Sequence, residues 1–161
     1  HSHRIKVAMA GSLARGAGGP LINMIRRILG NAAITEPEGK LILIVKQNDR
    51  WVLPGGNQGD LKGWEGLARK VKSDLRGIEI EYLEHRPIEV TVHGRTNQLV
   101  TAIVYDFNLV KPPERIAPFS HIQDYEWIDM TGKGYVLSEL MQKIFKRLRQ
   151  RDYTPTREIA R

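Results

Sequence analysis

The apolar residues of this chain form two kinds of pattern: short continuous runs typical of buried strands, and stripes with helical spacing. The segment from Lys40 to Gln47 is rich in Ile, Leu and Val and predicts a buried strand. The turn residues Asn48-Asp49 then lead into a short strand from Arg50 to Leu53. Further strands are predicted at 32–35, 79–86, 88–93, 98–109 and 125–128.

Three segments have the spacing of helices. Between Pro20 and Gly30 apolar residues recur at helical intervals, with proline near the first helical position and glycine as the stop. A second helix is predicted from about Trp64 to Arg76, with Gly77 as its C-cap. A third helix is predicted from Tyr135 to Asp152. It is apolar on one face, and Lys and Arg residues fill most of the other face.

The order of these elements predicts an α/β fold. Helices and strands alternate in the first half, strands cluster in the middle, and a helix closes the chain, which favours a mixed sheet with helices on both faces. We expect an N-terminal arm and helix at 1–30, in which the Gly-rich segment 4–19 is flexible. The main domain is expected at 31–152, and a flexible C-terminal tail at 153–161.

The chain of 161 residues is strongly basic, with a formal net charge of +7 and a pI of about 9.8. This balance favours polyanionic partners, namely nucleic acid, nucleotides or an acidic protein surface. The basic face of the last predicted helix, together with Arg157 and Arg161, is a candidate surface for RNA or an acidic protein. A solvated helix face has the same composition, so charge alone does not decide between the two interpretations.

The sequence lacks cysteine and lacks long apolar segments, and each of these facts excludes some kinds of site or location. The chain contains no cysteine, which excludes disulfides, zinc–thiolate sites and a cysteine nucleophile. Its longest apolar run, Leu41 to Val45, is far too short to span a bilayer. No secretory signal is recognisable, so we expect a cytoplasmic protein that does not enter a membrane.

The segment from Trp51 to Gly56, which reads W-V-L-P-G-G, is followed at a characteristic spacing by Gly77-Ile78. With the apolar strand before it and the Tyr125 to Ile128 segment near the end, residues 31–150 resemble the Nudix family, typified by the MutT group. The family motif is G-x5-E-x7-R-E-U-x-E-E-x-G-U, in which U is apolar. This resemblance implies an α/β/α sandwich with a central mixed β-sheet, and it makes residues 31–152 a Nudix-like domain.

Most glutamates of that motif are missing from this chain. When Gly56 is taken as the first motif glycine, the motif closes without a gap, but Lys62 stands on the loop glutamate. A second register, shifted by one residue within the helix, places Lys70 on the first helix glutamate and Val71 on the apolar position. We prefer the second register for the helix because Val71 is apolar. In both registers Asp74 is the helix carboxylate that remains on a motif position.

The resemblance implies that helix carboxylates and a backbone carbonyl near the first glycine hold Mg²⁺ or Mn²⁺ against a diphosphate. The candidate metal ligands are therefore Asp74, Asp60 and the Gly55 carbonyl, and the candidate catalytic carboxylates are Asp74 and Glu65. Asp60 also fits an ordinary turn residue, and Glu65 a first-turn helix acid. One aspartate with water ligands is a weak site, and nearby lysines repel a divalent cation, which argues against a tightly bound metal.

The same lysines can attract phosphate without any metal. The ring of Trp51 can stack on a base beside such a phosphate. We expect a phosphorylated ligand to contact a set of residues around the motif: Gly55, Gly56, Lys62, Arg69, Lys70 and Trp51.

Three functions stay open at this point. The first is a divergent member that binds a nucleoside-diphosphate-type or other phosphorylated ligand, with weak or no metal-dependent hydrolysis. The second is an active Nudix pyrophosphohydrolase with an unusual metal site. The third is an RNA- or protein-binding subunit that uses the fold as a scaffold, because a fold does not imply an activity. The resemblance also implies that the chain can form a homodimer.

Overall fold

The computed structural model describes residues 2–7, 22–110 and 116–152 of the chain. The strands are β1 (Ser2–Val7), β2 (Ile22–Thr35), β3 (Leu41–Gln47), β4 (Arg50–Val52), β5 (Gly55–Asn57), β6 (Leu75–Arg76), β7 (Ile80–Tyr82), β8 (Ile88–His93), β9 (Gln98–Leu109), β10 (Ala117–Pro118) and β11 (Asp124–Asp129). The helices are α1 (Gln58–Leu61), α2 (Trp64–Asp74) and α3 (Glu139–Asp152). Among these described residues, none of the helices combines the length and the apolar character needed to cross a bilayer.

The long strand β2 is the element on which the sheet is assembled. It runs parallel to β9, from the pair Ile25–Gln98 to the pair Thr35–Asn108. At other points along its length β2 pairs antiparallel with β1, β3 and β5. The path through the sheet is β11-β3-β2-β9-β7, with β4 added at β3 and β8 at β9. A parallel pair among antiparallel pairs makes the sheet mixed, as predicted.

Each face of the sheet packs against one of the two longer helices. On β3, Leu43 and Val45 belong to the hydrophobic cluster beneath α2, whereas Ile42 and Ile44 belong to the cluster beneath α3. Successive residues of a strand point to opposite faces, and a helix covers each face, so all four side chains are fully buried. The architecture is therefore an α/β/α sandwich around a mixed sheet, and the predicted fold class is confirmed.

The helix predicted between Pro20 and Gly30 is wrong, because residues from Ile22 onward form β2. The segment contains three isoleucines, and isoleucine is a β-branched residue that favours strands. Pairing with β9 along one edge and with β1 and β5 along the other outweighs the helical spacing. The predicted division between residues 30 and 31 consequently falls inside a strand.

The remaining elements differ from the prediction mainly at their ends. Helix α2 ends two residues earlier than predicted and α3 begins four residues later. The strand predicted at 79–86 forms only as β7. Residues 55–63, between the strand predicted at 50–53 and the helix predicted from Trp64, contain β5 and α1. Of the arm predicted at 4–19, residues 4–7 belong to β1. The remainder of that arm and the tail predicted at 153–161 lie outside the described residues.

Candidate functional site

The segment from Leu53 to Asn57 is held against the middle of β2. The side-chain amide of Asn31 donates a hydrogen bond to the carbonyl oxygen of Leu53 at 3.2 Å, and Gly55 lies opposite Asn31 in the ladder between β5 and β2. Gly55 has a φ of 153°, and a Cβ at this position would overlap the carbonyl oxygen of Gly30. Glycine is therefore required here by both the backbone conformation and the close approach of β2.

Helix α2 follows this segment and packs on the sheet through one apolar face. Leu67 is fully buried, and Trp64 in the first turn stacks on Tyr82 with the ring centroids 4.3 Å apart. Burial is the main cause that raises the pKa of the Tyr82 phenol, so this ring adds no charge beside the helix at neutral pH. Val71 is 1% exposed whereas Lys72 is exposed to solvent. That difference agrees with the register that places Val71 on the apolar motif position.

Lys70 and Asp74 form an ion pair on the edge of α2 that faces β5. The Lys70 Nζ lies 2.8 Å from the Asp74 Oδ2, one helical turn away. Lys70 also passes close to Gly56, because a Cβ at Gly56 would stand 2.9 Å from the Lys70 Cε. The Asp74 carboxylate is only 13% exposed, and its second neighbour is the His121 Nε2 at 3.8 Å. The Lys70 side chain thus passes Gly56 with its methylene groups and places its ammonium on Asp74, the helix carboxylate that remains on a motif position.

The structure does not bring the predicted acidic residues together. Glu65 lies nine residues before Asp74 in α2, which corresponds to about 13.5 Å along the axis and the opposite side of the helix. Asp60 is exposed on α1. Within the described part of the chain, no group of three His, Asp or Glu side chains is placed to hold a metal ion. These donors do not fit Mg²⁺ or Mn²⁺, which require several converging oxygen ligands.

The other predicted ligand-binding residues are dispersed around the domain. Lys62 follows α1 in a left-handed conformation, with a φ of 56°, and is exposed. Arg69 is exposed and lies about 100° around the helix from Lys70. Trp51 packs on the α3 side of the sheet, edge-on to Tyr135 at 5.5 Å between centroids. Trp51 therefore does not stack beside α2, the helix that carries the motif.

A cavity of about 440 Å³ opens beside the glycine segment and was not indicated by the sequence. Gly55 and Gly56 form part of its wall, and its charged lining residues are Arg27 and Arg50. No carboxylate from the described residues lines it, so the cavity is positively charged. Three amide side chains (Asn31, Gln47, Asn48) and five apolar side chains (Leu29, Val52, Leu53, Val100, Leu140) complete the lining.

Sequence patterns missed the two arginines because the fold alone brings them to the glycines. Arg27 falls within the segment predicted to be a helix, but it lies on β2, two residues before the first residue that pairs with β5. Arg50 was only the first residue of a predicted strand, and it reaches the cavity because β4 pairs with β3. Neither residue belongs to the motif, and neither carries a spacing signal that could have identified it.

The chain is similar in structure to several solved proteins. A MutT protein from Methanosarcina mazei superposes with a TM-score of 0.62 at 20% identity, covering 80% of this chain and 96% of that one. An Ap4A hydrolase from C. elegans gives a TM-score of 0.61 at 12% identity, with coverages of 77% and 96%. The Nudix domain of Shewanella oneidensis NrtR, solved with ADP-ribose, gives 0.56 at 15% identity, with coverages of 90% and 99%. No family model matches the sequence, and no curated protein matches it either.

Proposed function

We propose that this chain, which has the fold of the Nudix proteins, binds a nucleoside-diphosphate-type or other phosphorylated ligand without a divalent metal ion. Metal-dependent hydrolysis is weak or absent in this proposal. The observation that carries it is the ion pair of Lys70 with Asp74, placed against Gly56. The Lys70 side chain passes Gly56, and Lys70 stands on a helix position where the motif resemblance implies a glutamate.

Charge favours an anionic ligand over a metal ion at this position. The pairing with Lys70 cancels the negative charge of Asp74, so no net negative charge remains there to attract a divalent ion. Two unit charges 4 Å apart interact by about 4 kcal/mol at an effective dielectric constant of 20, so neutralising one carboxylate removes roughly twice that attraction for a divalent ion. The Asp74 carboxylate already has Lys70 as its partner, so it is not available as an unpaired ligand. A phosphate group near Gly56, in contrast, gains a charge-assisted hydrogen bond from the same ammonium.

The neighbouring cavity has the dimensions and lining expected of a nucleotide site. Its volume of about 440 Å³ lies within the range of roughly 300–1,000 Å³ that is typical of small-molecule sites. Arg27 and Arg50 can hold a diphosphate through their planar guanidinium groups. The apolar floor suits a base or a sugar face, and the three amides can bind polar edges. The solved relative that contains ADP-ribose supports this class of ligand.

We expect ADP-ribose, UDP-glucose or ATP to bind in buffer that contains EDTA, and Lys70→Ala to weaken that binding by about tenfold or more. The physical reason is the loss of a hydrogen bond to a charged group, worth roughly 1.5–3 kcal/mol. Isothermal titration calorimetry measures the affinity directly. Lys72→Ala is the matched control, because Lys72 is exposed on the same helix and is expected to leave the affinity unchanged within about twofold.

Turnover assays on the same compounds test the competing hypothesis of an active pyrophosphohydrolase. Hydrolysis that requires Mg²⁺ or Mn²⁺ and disappears in Asp74→Ala would replace the present proposal with an enzyme that has an unusual metal site. Absence of both turnover and binding in EDTA would leave the third function, a scaffold for RNA or protein. The basic residues of α3 are the feature that supports that third function.

A further inference from the structure

A second group of charged side chains is organised around a buried carboxylate, away from the glycine segment. Asp106 on β9 is only 4% exposed. Its Oδ1 accepts a hydrogen bond from the Arg151 Nη2 at 3.0 Å, and its Oδ2 contacts the Arg151 Nη1 and lies 2.7 Å from the His85 Nδ1. A buried carboxylate needs such partners. The consequence is that the Arg151 guanidinium is held in one place at the end of α3.

A second arginine is fixed one helical turn before Arg151. The Arg147 Nη1 donates a hydrogen bond to the backbone carbonyl oxygen of Glu89 on β8, at 3.2 Å. A guanidinium has five N–H donors, so this bond leaves Arg147 with donors for another acceptor. Arg86 lies on the segment that leads into β8 and is exposed. Two arginines from α3 and one from the β7–β8 connection therefore approach each other.

These three arginines line a cavity of about 330 Å³, together with Pro87, Ile88 and Gln150. The cavity shares no lining residue with the one beside Gly55. Leu140, at the start of α3, lines the first cavity, whereas Arg147 and Arg151 lie seven and eleven residues further along the helix. This separation corresponds to about 10–16 Å along the helix axis, so the two cavities are distinct places on the domain.

The balance of charge in the second cavity favours an anion with more than one negative charge. The negative charge of Asp106 offsets the positive charge of Arg151. The positive charges of Arg86 and Arg147 remain at the cavity. The adjoining groove shares Arg147 and Gln150 and adds Lys143 and Lys146. Glu89 also lines this groove and Glu139 pairs with Lys143 at 3.5 Å, so the net positive charge at the second cavity comes from Arg86 and Arg147. Guanidinium groups already held by protein acceptors lose little conformational freedom on binding. A phosphate dianion, with three acceptor oxygens, matches planar guanidinium donors best.

We propose that the cavity lined by Arg86, Arg147 and Arg151 is a second binding site, one that takes a phosphate group. The phosphate can belong to a free phosphate-bearing metabolite or to the end of a nucleic acid, because both present the same dianion. The site is independent of the ligand site beside Lys70, from which it is separated along α3.

NMR titration of the full chain with inorganic phosphate, at constant ionic strength, tests the site directly. Amide signals of Arg86, Ile88, Glu89 and residues 147–151 are expected to shift together in the wild type. The double variant Arg86→Gln/Arg147→Gln is expected to bind phosphate about tenfold more weakly or worse, because both residues are exposed and charged donors are lost without disturbing the core. The control Lys72→Gln/Arg95→Gln removes the same net charge at exposed positions elsewhere, and should stay within about twofold of the wild type.

Further titrations compare ligands that carry the phosphate group in different ways, and they distinguish the second site from the site beside Lys70. AMP and a short RNA with a 5′-phosphate are expected to bind like inorganic phosphate, and the same RNA with a 5′-hydroxyl to bind much more weakly. Each affinity is taken from the shifts of residues around the second cavity alone, so that binding beside Lys70 does not enter the comparison. Equal losses in the double variant and its charge-matched control would overturn the site. Binding of the 5′-hydroxyl RNA as tightly as the 5′-phosphate form would also overturn it, in favour of a general nucleic-acid surface.

Discussion

Lys70→Glu is expected to make the protein bind Mn²⁺ or Mg²⁺. The substitution removes the ammonium that is paired with Asp74 and places a carboxylate one helical turn from Asp74, where the residue 70 side chain passes Gly56. Two carboxylates on one helix edge offer the hard oxygen ligands that these cations prefer, and without a cation they repel each other. At a Mn²⁺ concentration about 100 times the dissociation constant, the variant should gain about 2.7 kcal/mol. For a domain of this size that gain raises Tm by roughly 5–10 °C.

Thermal unfolding with and without MnCl₂ measures this effect. Lys72→Glu is the control, since it makes the same change of charge on the solvent face of α2 and should not respond to Mn²⁺. A wild-type protein that Mn²⁺ stabilises as strongly as the variant would mean that Lys70 does not replace a metal. A folded Lys70→Glu variant that ignores Mn²⁺ would mean that Asp74 is not placed as a ligand.

Gly66→Ala is expected to destabilise the protein by about 3 kcal/mol or more, although alanine is the better helix former by about 1 kcal/mol. The cause is a close approach of two backbones. A Cβ at Gly66 would overlap the carbonyl oxygen of Leu61, at the end of α1, and backbone cannot move aside as a flexible side chain can. Leu61 is itself 5% exposed and belongs to the core cluster under α2, which prevents α1 from shifting away.

Urea or thermal unfolding of Gly66→Ala tests this steric argument, with Tm expected to fall by roughly 6–12 °C. Ser73→Ala is the matched control. It adds helix propensity at an exposed position of the same helix and should change stability by no more than about 0.5 kcal/mol. The argument fails when Gly66→Ala is as stable as the wild type, because propensity would then dominate and α1 would be free to move.

The fold was largely predictable because most of its signals are local. The apolar run of β3 correctly predicted a buried strand of the sheet. The glycines of β5 indicated where the chain turns toward α2, the helix that carries the motif. The failure at Ile22 to Gly30 has a physical cause. The apolar positions of these residues do not alternate as in a half-buried strand, and the strand is instead fixed by backbone pairing along both of its edges, which leaves no local pattern. Only pairing with β9, far along the chain, makes the segment a strand.

The candidate site was less predictable, because it depends on side-chain directions. The motif includes Gly56, Lys70 and Asp74, and the structure places the Lys70 side chain near Gly56 and in contact with Asp74. The nine-residue spacing within the predicted helix already puts Glu65 on the opposite side of α2 from Asp74. The sequence could not show that Trp51 packs toward α3. The arginines of the two cavities come from β2, β4, the β7–β8 connection and α3, so only the folded chain brings them together.

The parallel pairing of β2 with β9 has a consequence for synthesis of the chain. Thr35 and its partner Asn108 are 73 residues apart, so β2 leaves the ribosome well before the strand that completes its ladder exists. At about 5–20 residues per second this delay is roughly 4–15 s. Pairing between strands so far apart in sequence is slow. Until β9 pairs with it, one edge of the apolar strand β2 is unpaired and can aggregate with other chains. Translation products that stop before β9 are therefore expected to depend on chaperones.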